Sequence, residues 1–385
     1  MAAPNSQNFT RNLILTFAIG ESVGGIESCA EHLKRFLQTR ASTDQVRVLS
    51  MWPHERRPWR FRPFRAPMRA WFMAKLACEA VKSSLTSPPD RVWVLHLDIL
   101  SALSPTLLRR SIVYLHGDEL WNCENTRTLT VLSQARGLIA VSEFTAECTR
   151  NKLGELKLSI PPIDVIPPPI HSPESSTPTK PSSNATLSFD TEPLKILTLA
   201  RQDARQQHKG TDTLIEATAL LAKQGVRTRL KIAGTGTDLS RLRALSTQLG
   251  CDASIEFIGF VPSAEISDLY RWADLFVMAS GKMQGSKLIA EGFGIVYLEA
   301  ASYGVPSIGL KIGGTSDAIV DGGTGILIDH QDANMLSQAI LRLRNDPALL
   351  KKMGRSAFDR FDREFSFKAQ NRRWNDFLSK LEAPL

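Results

Sequence analysis

The chain has 385 residues, a net charge of +8, and 43% hydrophobic against 22% charged residues, which is typical of a globular protein long enough for two domains. No apolar run approaches the roughly 20 residues that span a bilayer, which excludes a membrane-spanning helix. Five scattered cysteines without a CxxC pair favour reduced thiols over a disulfide framework or a zinc site. We therefore expect a cytoplasmic protein.

In the first half of the chain, short apolar strands alternate with segments of helical spacing. The strand candidates, in chain order, are LILTFAI, VRVLSM, RVWVLHL, SIVYLH, GLIAVS and IDVIPPPI. Helical spacing is clearest in GIESCAEHLKRFLQ, after the first strand, and in EFTAECTRNKLG, after the fifth. This alternation predicts a parallel sheet with helices on both faces, and we interpret residues 1–170 as one Rossmann-like domain.

A basic segment, ERRPWRFRPFRAPMRAW, follows the second strand candidate at residues 55–71. It holds six arginines interleaved with aromatic side chains. A solvated loop, a contact with an anionic membrane or acceptor, and a nucleic-acid contact would each suit this composition. No nucleic-acid-binding motif accompanies it, so we expect no nucleic-acid partner. The candidate membrane or acceptor patch comprises Arg57, Arg60, Arg62, Arg65 and Arg69.

Residues 171–193 are rich in Ser, Thr and Pro and are predicted to be a linker. After it the alternation restarts with LKILTLA, TDTLIEATALLAKQG, RLKIAG, DLSRLRALSTQLG, IEFIGF, SAEISDLYRWA and DLFVMAS. Residues 194–365 are therefore interpreted as a second Rossmann-like domain. The remaining segment, 366–385, is a helix candidate left over after the second sheet, and it could pack back on the first domain.

The stretch EGFGIVYLEAASYGVP, residues 291–306, places two carboxylates around a glycine turn. Glycines before a helix let backbone N–H groups approach a ligand, and ionised carboxylates accept hydrogen bonds from sugar hydroxyls. Eight helical residues rise about 12 Å, so Glu291 and Glu299 are expected to grip two ends of a long ligand.

This Glu-x7-Glu pattern resembles the signature of retaining glycosyltransferases of family 4, the glycosyl transferases group 1, which have the GT-B fold: two Rossmann-like domains facing across a cleft. Further segments are similar to family elements in order and spacing. LARQDARQQHKG carries Arg201 and Lys209, with Ala200 where the family usually has glycine. ESVGGIE supplies Gly24 and Gly25, and YLHGDE supplies His116, while VSEFTAE matches a family VS-x-x-T segment.

The resemblance implies a first domain that binds the acceptor and a second that binds a nucleotide-diphosphate sugar. It assigns catalytic roles to His116, Glu291, Arg201 and Lys209, and donor binding to Gly24, Gly25, Arg201, Lys209, Phe293, Gly294, Ile295 and Glu299. The implied reaction is metal-independent hexose transfer with retention, from a UDP- or GDP-linked donor to a saccharide or lipid-linked acceptor, in cell-surface polysaccharide or glycolipid synthesis. No cofactor is implied beyond the donor itself, and no DxD sequence offers a metal site. A membrane contact through the arginine-rich segment would place this cytoplasmic protein at the inner face of the membrane.

Alternatives stay open at this point. Within the same fold, the alternative is a nucleotide-sugar epimerase or a sugar phosphorylase. The alternative from another class is a catalytically silent nucleotide-sugar binder or assembly partner. GTGTDL at 234–239 resembles a dinucleotide fingerprint but lacks its third glycine. Three consecutive prolines, Pro167 to Pro169, stand where the family often has Asn-Gly and predict a stiffer hinge.

Overall fold

The computed structural model describes residues 11–18, 25–40, 45–52, 65–85, 88–170 and 192–382. The chain divides into two compact units, one of residues 1–169 with 371–385 and one of residues 170–370. The predicted linker, 171–193, lies almost wholly outside the described residues.

The first unit contains a parallel sheet of six strands in the order β2-β1-β3-β4-β5-β6. Its strands are β1 (Asn12–Ala18), β2 (Val46–Trp52), β3 (Arg91–Val94), β4 (Ser111–Leu115), β5 (Gly137–Ala140) and β6 (Ile163–Val165). Every residue of β3, β4 and β5 is buried, which explains why these segments are almost uniformly apolar. The helices described here are α1 (Gly25–Gln38), α2 (Arg65–Leu85), α3 (Pro105–Leu108), α4 (Asp118–Trp121), α5 (Thr126–Leu132) and α6 (Glu143–Glu155).

The second unit contains another parallel sheet of six strands, in the order β14-β13-β10-β7-β8-β9. Its strands are β7 (Leu194–Leu199), β8 (Thr228–Ala233), β9 (Ile255–Gly259), β10 (Leu275–Met278), β13 (Ser307–Leu310) and β14 (Gly325–Ile328), and an antiparallel hairpin is formed by β11 (Lys282–Gln284) and β12 (Lys287–Ile289). Its helices are α7 (Thr211–Lys223), α8 (Leu239–Gln248), α9 (Ser263–Trp272), α10 (Ile295–Ser302), α11 (Thr315–Ala318), α12 (Ala333–Asn345) and α13 (Pro347–Glu364).

The strand order of the second sheet reverses between β7 and β10. From β7 the chain proceeds outward to β8 and β9, and then it returns to the other side of β7 to add β10, β13 and β14. In open α/β sheets, ligands bind at the carboxyl ends of the strands at such a switch point. The fold therefore places the ends of β7 and β10 where a ligand is expected.

The last helix, α14 (Phe367–Glu382), belongs mostly to the first unit, because the division between the units falls after Gln370. Trp374 is 2% exposed, lies nearly parallel to Tyr114 with ring centroids 6.1 Å apart, and meets Trp93 edge-on at 5.9 Å. The Arg136 guanidinium donates to the Leu381 carbonyl at 2.8 Å. The C-terminal helix thus packs back on the first unit.

None of the helices in the described ranges combines the length and apolarity needed to cross a bilayer.

Candidate functional site

An ion pair and a hydroxyl group meet at the switch point of the second sheet. After β7, a short 3-10 helix (Ala204–Lys209) brings Lys209 into position, and Ser280 lies two residues after the end of β10. The Lys209 ammonium donates to Oε1 of Glu291, and the Ser280 hydroxyl donates to the same oxygen at 2.5 Å. The Lys209 and Glu291 side chains are only 20% and 16% exposed. Lys209 therefore forms one polar cluster with Ser280 and Glu291, which lie more than 70 residues further along the chain.

Glu291 is held as an anion. Burial alone would raise its pKa, but the Lys209 charge and the hydrogen bonds from Lys209 and Ser280 outweigh burial, and the pKa is lowered overall. Within the part of the chain that the structure describes, Oε2 of Glu291 accepts no hydrogen bond. One carboxylate oxygen is thus fixed by the protein, and the other is available to a donor group such as a sugar hydroxyl.

Glycines allow the backbone to cross tightly beside this glutamate. The Gly314 N–H donates to the Glu291 carbonyl at 2.9 Å, and a Cβ on Gly314 would lie only 1.9 Å from the Gly292 carbonyl oxygen. Gly294 has φ +90°, and a Cβ there would meet the Tyr297 ring at 2.5 Å. The glycine turn therefore has a structural cause, and it ends where α10 begins.

The predicted backbone donors lie at the start of α10. Ile295 is its first residue, and the first N–H groups of a helix have no partner within the helix. The Phe293 side chain is 3% exposed and packs edge-on against Phe365, with centroids 5.7 Å apart. The phenyl group therefore anchors the turn in the core, while the backbone of Phe293, Gly294 and Ile295 passes beside Glu291.

Glu299 lies in the middle of α10 and is partly buried. Its Oε2 accepts a hydrogen bond from the Tyr270 hydroxyl at 2.7 Å. Burial raises the pKa of Glu299, and the Tyr270 hydrogen bond opposes that rise. Tyr270 itself is 1% exposed, so the contact is shielded from water.

Arg201 is exposed just beyond the end of β7, beside a tight contact between two loops. A Cβ on Gly234 would lie 1.8 Å from the Ala200 carbonyl oxygen, and one on Gly236 would lie 2.0 Å from that of Gln202. The Gln202 N–H donates to the Thr235 carbonyl at 3.0 Å. The glycines of GTGTDL are therefore accounted for by close packing against the Arg201 segment, without a dinucleotide.

His116 directly follows β4 in the first unit. Burial, together with the nearby His96, lowers the pKa of His116 to about 3. The Leu95 carbonyl accepts a hydrogen bond from the ring, whereas the buried Nε2 has no partner among the described residues. At neutral pH the imidazole is therefore uncharged, with Nε2 as an acceptor.

The other predicted residues of the first unit are only partly covered by the structure. Gly25 is the first residue of α1, whereas Gly24 lies outside the described residues. Arg57, Arg60 and Arg62 also lie outside them. Arg65 and Arg69 belong to α2, but only their backbone is described.

Sequence reasoning missed Ser280, Tyr270 and the β11–β12 hairpin. The hairpin carries a readable signal, because alternating polar and apolar residues flank a two-residue Gly-Ser turn whose Gly285 has φ +61°. Ser280 and Tyr270 have no comparable signal, since their contacts with the two glutamates depend on strand order and helix packing. Within the described ranges, no three His, Cys, Asp or Glu side chains cluster as metal ligands would.

Comparison with known proteins identifies this region. Residues 180–360 match the family described as Glycosyl transferases group 1. The second unit is a group 1 glycosyl transferase domain. The Lys209–Glu291–Ser280 cluster and Glu299 all lie within this glycosyl transferase domain.

Curated relatives match only part of the chain. A GDP-mannose-dependent alpha-(1-6)-phosphatidylinositol monomannoside mannosyltransferase of Mycolicibacterium smegmatis is 35% identical over 146 residues, which are 38% of this chain and 38% of that enzyme. A D-inositol 3-phosphate glycosyltransferase of Arthrobacter is 27% identical over 266 residues, 62% of this chain and 61% of the relative. The chain therefore spans less than two thirds of the length of either relative.

Solved structures match nearly the whole chain. The UDP complex of HepE from Anabaena has a TM-score of 0.68 over 96% of this chain and 100% of that one, at 18% identity. Sucrose-phosphate synthase from Thermosynechococcus elongatus has a TM-score of 0.70 over 96% and 99% of the two chains, also at 18% identity. At these identities the likeness shows the fold alone, and the predicted GT-B class, with a glycosyl transferase domain as its second unit, is confirmed.

Proposed function

We propose that the protein is a retaining, metal-independent glycosyltransferase that moves a hexose from a nucleotide-diphosphate sugar to a saccharide or lipid-linked acceptor. The observation that carries this proposal is the Lys209–Glu291–Ser280 cluster at the switch point of the second sheet. It combines a cation suited to a departing diphosphate with a carboxylate oxygen that can accept from a sugar hydroxyl.

The donor we put forward first is GDP-mannose, with a UDP-hexose as the alternative. The mycobacterial relative is named as GDP-mannose-dependent, whereas the Anabaena structure was solved with UDP. Glu299 would accept from ribose hydroxyls, which both nucleotides share. The glutamates would therefore suit a guanine nucleotide and a uracil nucleotide equally, and the identity of the base is left to the binding experiment.

Catalysis in this proposal is mainly electrostatic. As the bond between the anomeric carbon and the phosphate oxygen breaks, Lys209 and Arg201 would stabilise the charge that develops on the diphosphate. The acceptor hydroxyl would attack from the same face and give its proton to the departing phosphate oxygen, so that no protein nucleophile is required. Glu291 would position the sugar, and the neutral His116 would offer it an acceptor nitrogen rather than a positive charge.

We further propose that the first unit acts at an anionic membrane surface on the cytoplasmic side. Helix α2 begins within the arginine-rich segment and exposes Trp71 (41%), Met73 (47%) and Val81 (58%), although Phe72 and Leu76 on the same helix are buried. Exposed apolar side chains next to a run of cations suit anionic lipid headgroups. The mycobacterial relative is named for a phosphatidylinositol-linked acceptor, which would reside in such a surface.

Nucleotide binding tests the donor site. Thermal shifts would be measured with GDP, UDP, ADP and NAD, for the natural protein and for Glu299→Ala. We expect one nucleoside diphosphate to stabilise the natural protein, by about 2.7 kcal/mol at 100 times its dissociation constant, and the variant to lose this shift. No shift with any diphosphate, or a shift with NAD alone, would overturn the proposal.

Turnover tests the reaction. Incubation with the matching nucleotide sugar and acceptor extract, followed by NMR of the product, should give the same anomeric configuration as the donor, with and without EDTA. Inversion, or loss of transfer with EDTA, would contradict the proposed chemistry.

Membrane contact is tested by sedimentation with vesicles. Binding to vesicles containing phosphatidylinositol should fall with salt and on changing Arg60, Arg62 and Arg65 to Glu. Binding that is equal on neutral vesicles and insensitive to salt would refute an electrostatic contact.

A further inference from the structure

Tyr270 is a buried phenol whose hydroxyl group contacts a proposed donor-binding carboxylate. It lies in α9 and is 1% exposed. Its ring stacks on Tyr303 with centroids 5.8 Å apart and planes 9° from parallel, and it packs against Phe276 at 5.9 Å. These contacts fix the ring, so the hydroxyl has little freedom to move.

The hydroxyl proton has one strongly favoured acceptor. Oε2 of Glu299 lies at 2.7 Å, whereas the Val296 carbonyl oxygen lies at 3.4 Å. The first distance is that of an ordinary O–H···O hydrogen bond, whereas the second is too long for a strong one. Tyr270 therefore donates to Glu299 and restrains the rotation of the carboxylate.

The other carboxylate oxygen is left for a ligand. Among the described residues, Oε1 of Glu299 accepts no hydrogen bond. Burial disfavours the charged form of this carboxyl group, and the phenol opposes that effect. A ribose presents two adjacent hydroxyl donors, and a carboxylate oxygen fixed in direction can accept from such a pair.

We propose that Tyr270 is a positioning residue that orients Glu299 toward the ribose hydroxyls of the donor nucleotide and so sets the preference for ribose over deoxyribose. This inference rests on the proposed function, because it assigns Tyr270 a part in that donor site. Tyr270 acts through Glu299 and does not touch the nucleotide itself.

The test compares nucleotides with and without ribose hydroxyls. Dissociation constants for GDP and UDP and for their 2′,3′-dideoxy forms would be measured by calorimetry with the natural protein and with Tyr270→Phe, which keeps the ring and removes the hydroxyl. We expect the natural protein to prefer the ribose form by about 30-fold or more. In Tyr270→Phe the preference should fall at least fivefold, while the affinity for the dideoxy form stays unchanged.

Tyr297→Phe is the matched control. Tyr297 is 2% exposed, and its hydroxyl donates to the Met278 carbonyl at 2.5 Å and not to a carboxylate. This control should keep the natural ribose preference. Equal weakening of both nucleotide forms in Tyr270→Phe would indicate a purely structural role and would overturn the inference.

A second variant keeps the test decisive if Tyr270→Phe folds poorly. Glu299→Gln should lose the ribose preference, and the double variant should lose no more than Glu299→Gln alone, because Tyr270 acts through Glu299. Additive losses, or an unchanged preference in Tyr270→Phe, would refute the role of Tyr270 alone. Failure of the natural protein to bind either diphosphate would instead refute the proposed function, and the inference with it.

Discussion

Glu291→Gln separates the structural role of this carboxylate from its role in binding. The substitution removes the charge that pairs with Lys209 but keeps a group that can accept from Ser280. Exposed ion pairs contribute up to about 1 kcal/mol, and breaking a fully buried one costs about 3–5 kcal/mol. Because these side chains are 20% and 16% exposed, we expect an intermediate loss of about 2 kcal/mol.

The loss should be visible as a lower unfolding temperature. For a unit of this size, 1 kcal/mol shifts Tm by about 2–4 °C, so the variant should unfold about 4–8 °C earlier at pH 7. The pKa of Glu291 is lowered in the folded protein, so its contribution is present above the unfolded value of about 4.3 and is lost as pH falls through the folded value. The difference between the two proteins should therefore shrink in acid.

Glu291→Gln should bind the nucleotide more tightly than the natural protein, even though it is less stable. Two unit charges about 7 Å apart interact by about 2.4 kcal/mol at an effective dielectric constant of about 20, and water and Lys209 would screen most of this repulsion between Glu291 and a diphosphate. We expect GDP to bind Glu291→Gln about fivefold more tightly, whereas kcat for transfer falls about 100-fold or more. Glu299→Gln is the control and should bind GDP more weakly than the natural protein. A Tm within 1 °C of the natural protein together with weaker GDP binding would refute the reasoning.

Further predictions concern other parts of the chain. Gly314→Ala should destabilise the second unit by about 3 kcal/mol in denaturant unfolding, since its Cβ would lie 1.9 Å from the Gly292 carbonyl oxygen. Gly154→Ala is the control and should be neutral or stabilising, because no atom lies within 4 Å of its added Cβ. Equal effects of the two substitutions would contradict this reasoning. Trp374→Ala should cost the first unit about 3–5 kcal/mol, and a loss below 1 kcal/mol would show that the helix is dispensable. His116 has a pKa of about 3 in the folded protein against 6.5 in the unfolded chain. Lowering the pH from 7 to 5 should therefore reduce the free energy of unfolding of the natural protein by about 2 kcal/mol, a loss that His116→Gln should not show. Identical dependence of the unfolding free energy on pH in the two proteins would refute this prediction.

Much of the fold could be predicted from local pattern. Buried parallel strands are continuous apolar runs, so β3, β4, β5 and β10 are recognisable without any knowledge of their neighbours. The glycine turn and Glu291 were also found locally, because a carboxylate beside glycines at a helix start is unusual.

Contacts that depend on strand order could not be predicted in the same way. Ser280 and Lys209 reach the same oxygen of Glu291 because β10 pairs with β7, although the two strands lie far apart in the sequence. Tyr270 has the spacing of an ordinary core residue of an amphipathic helix, and only packing reveals that its hydroxyl reaches Glu299. The basic segment and most of the linker lie outside the described residues, so their predictions stay open.

The position of Trp374 has a consequence for synthesis of the protein. The first unit comprises residues 1–169 and 371–385, and the side chains of Phe36, Trp93 and Tyr114 contact a tryptophan near the far end of the chain. At about 5–20 residues per second, a ribosome takes roughly 10–40 s to add the intervening segment. During that interval we expect the nascent first unit to expose the aromatic surface that Trp374 later covers.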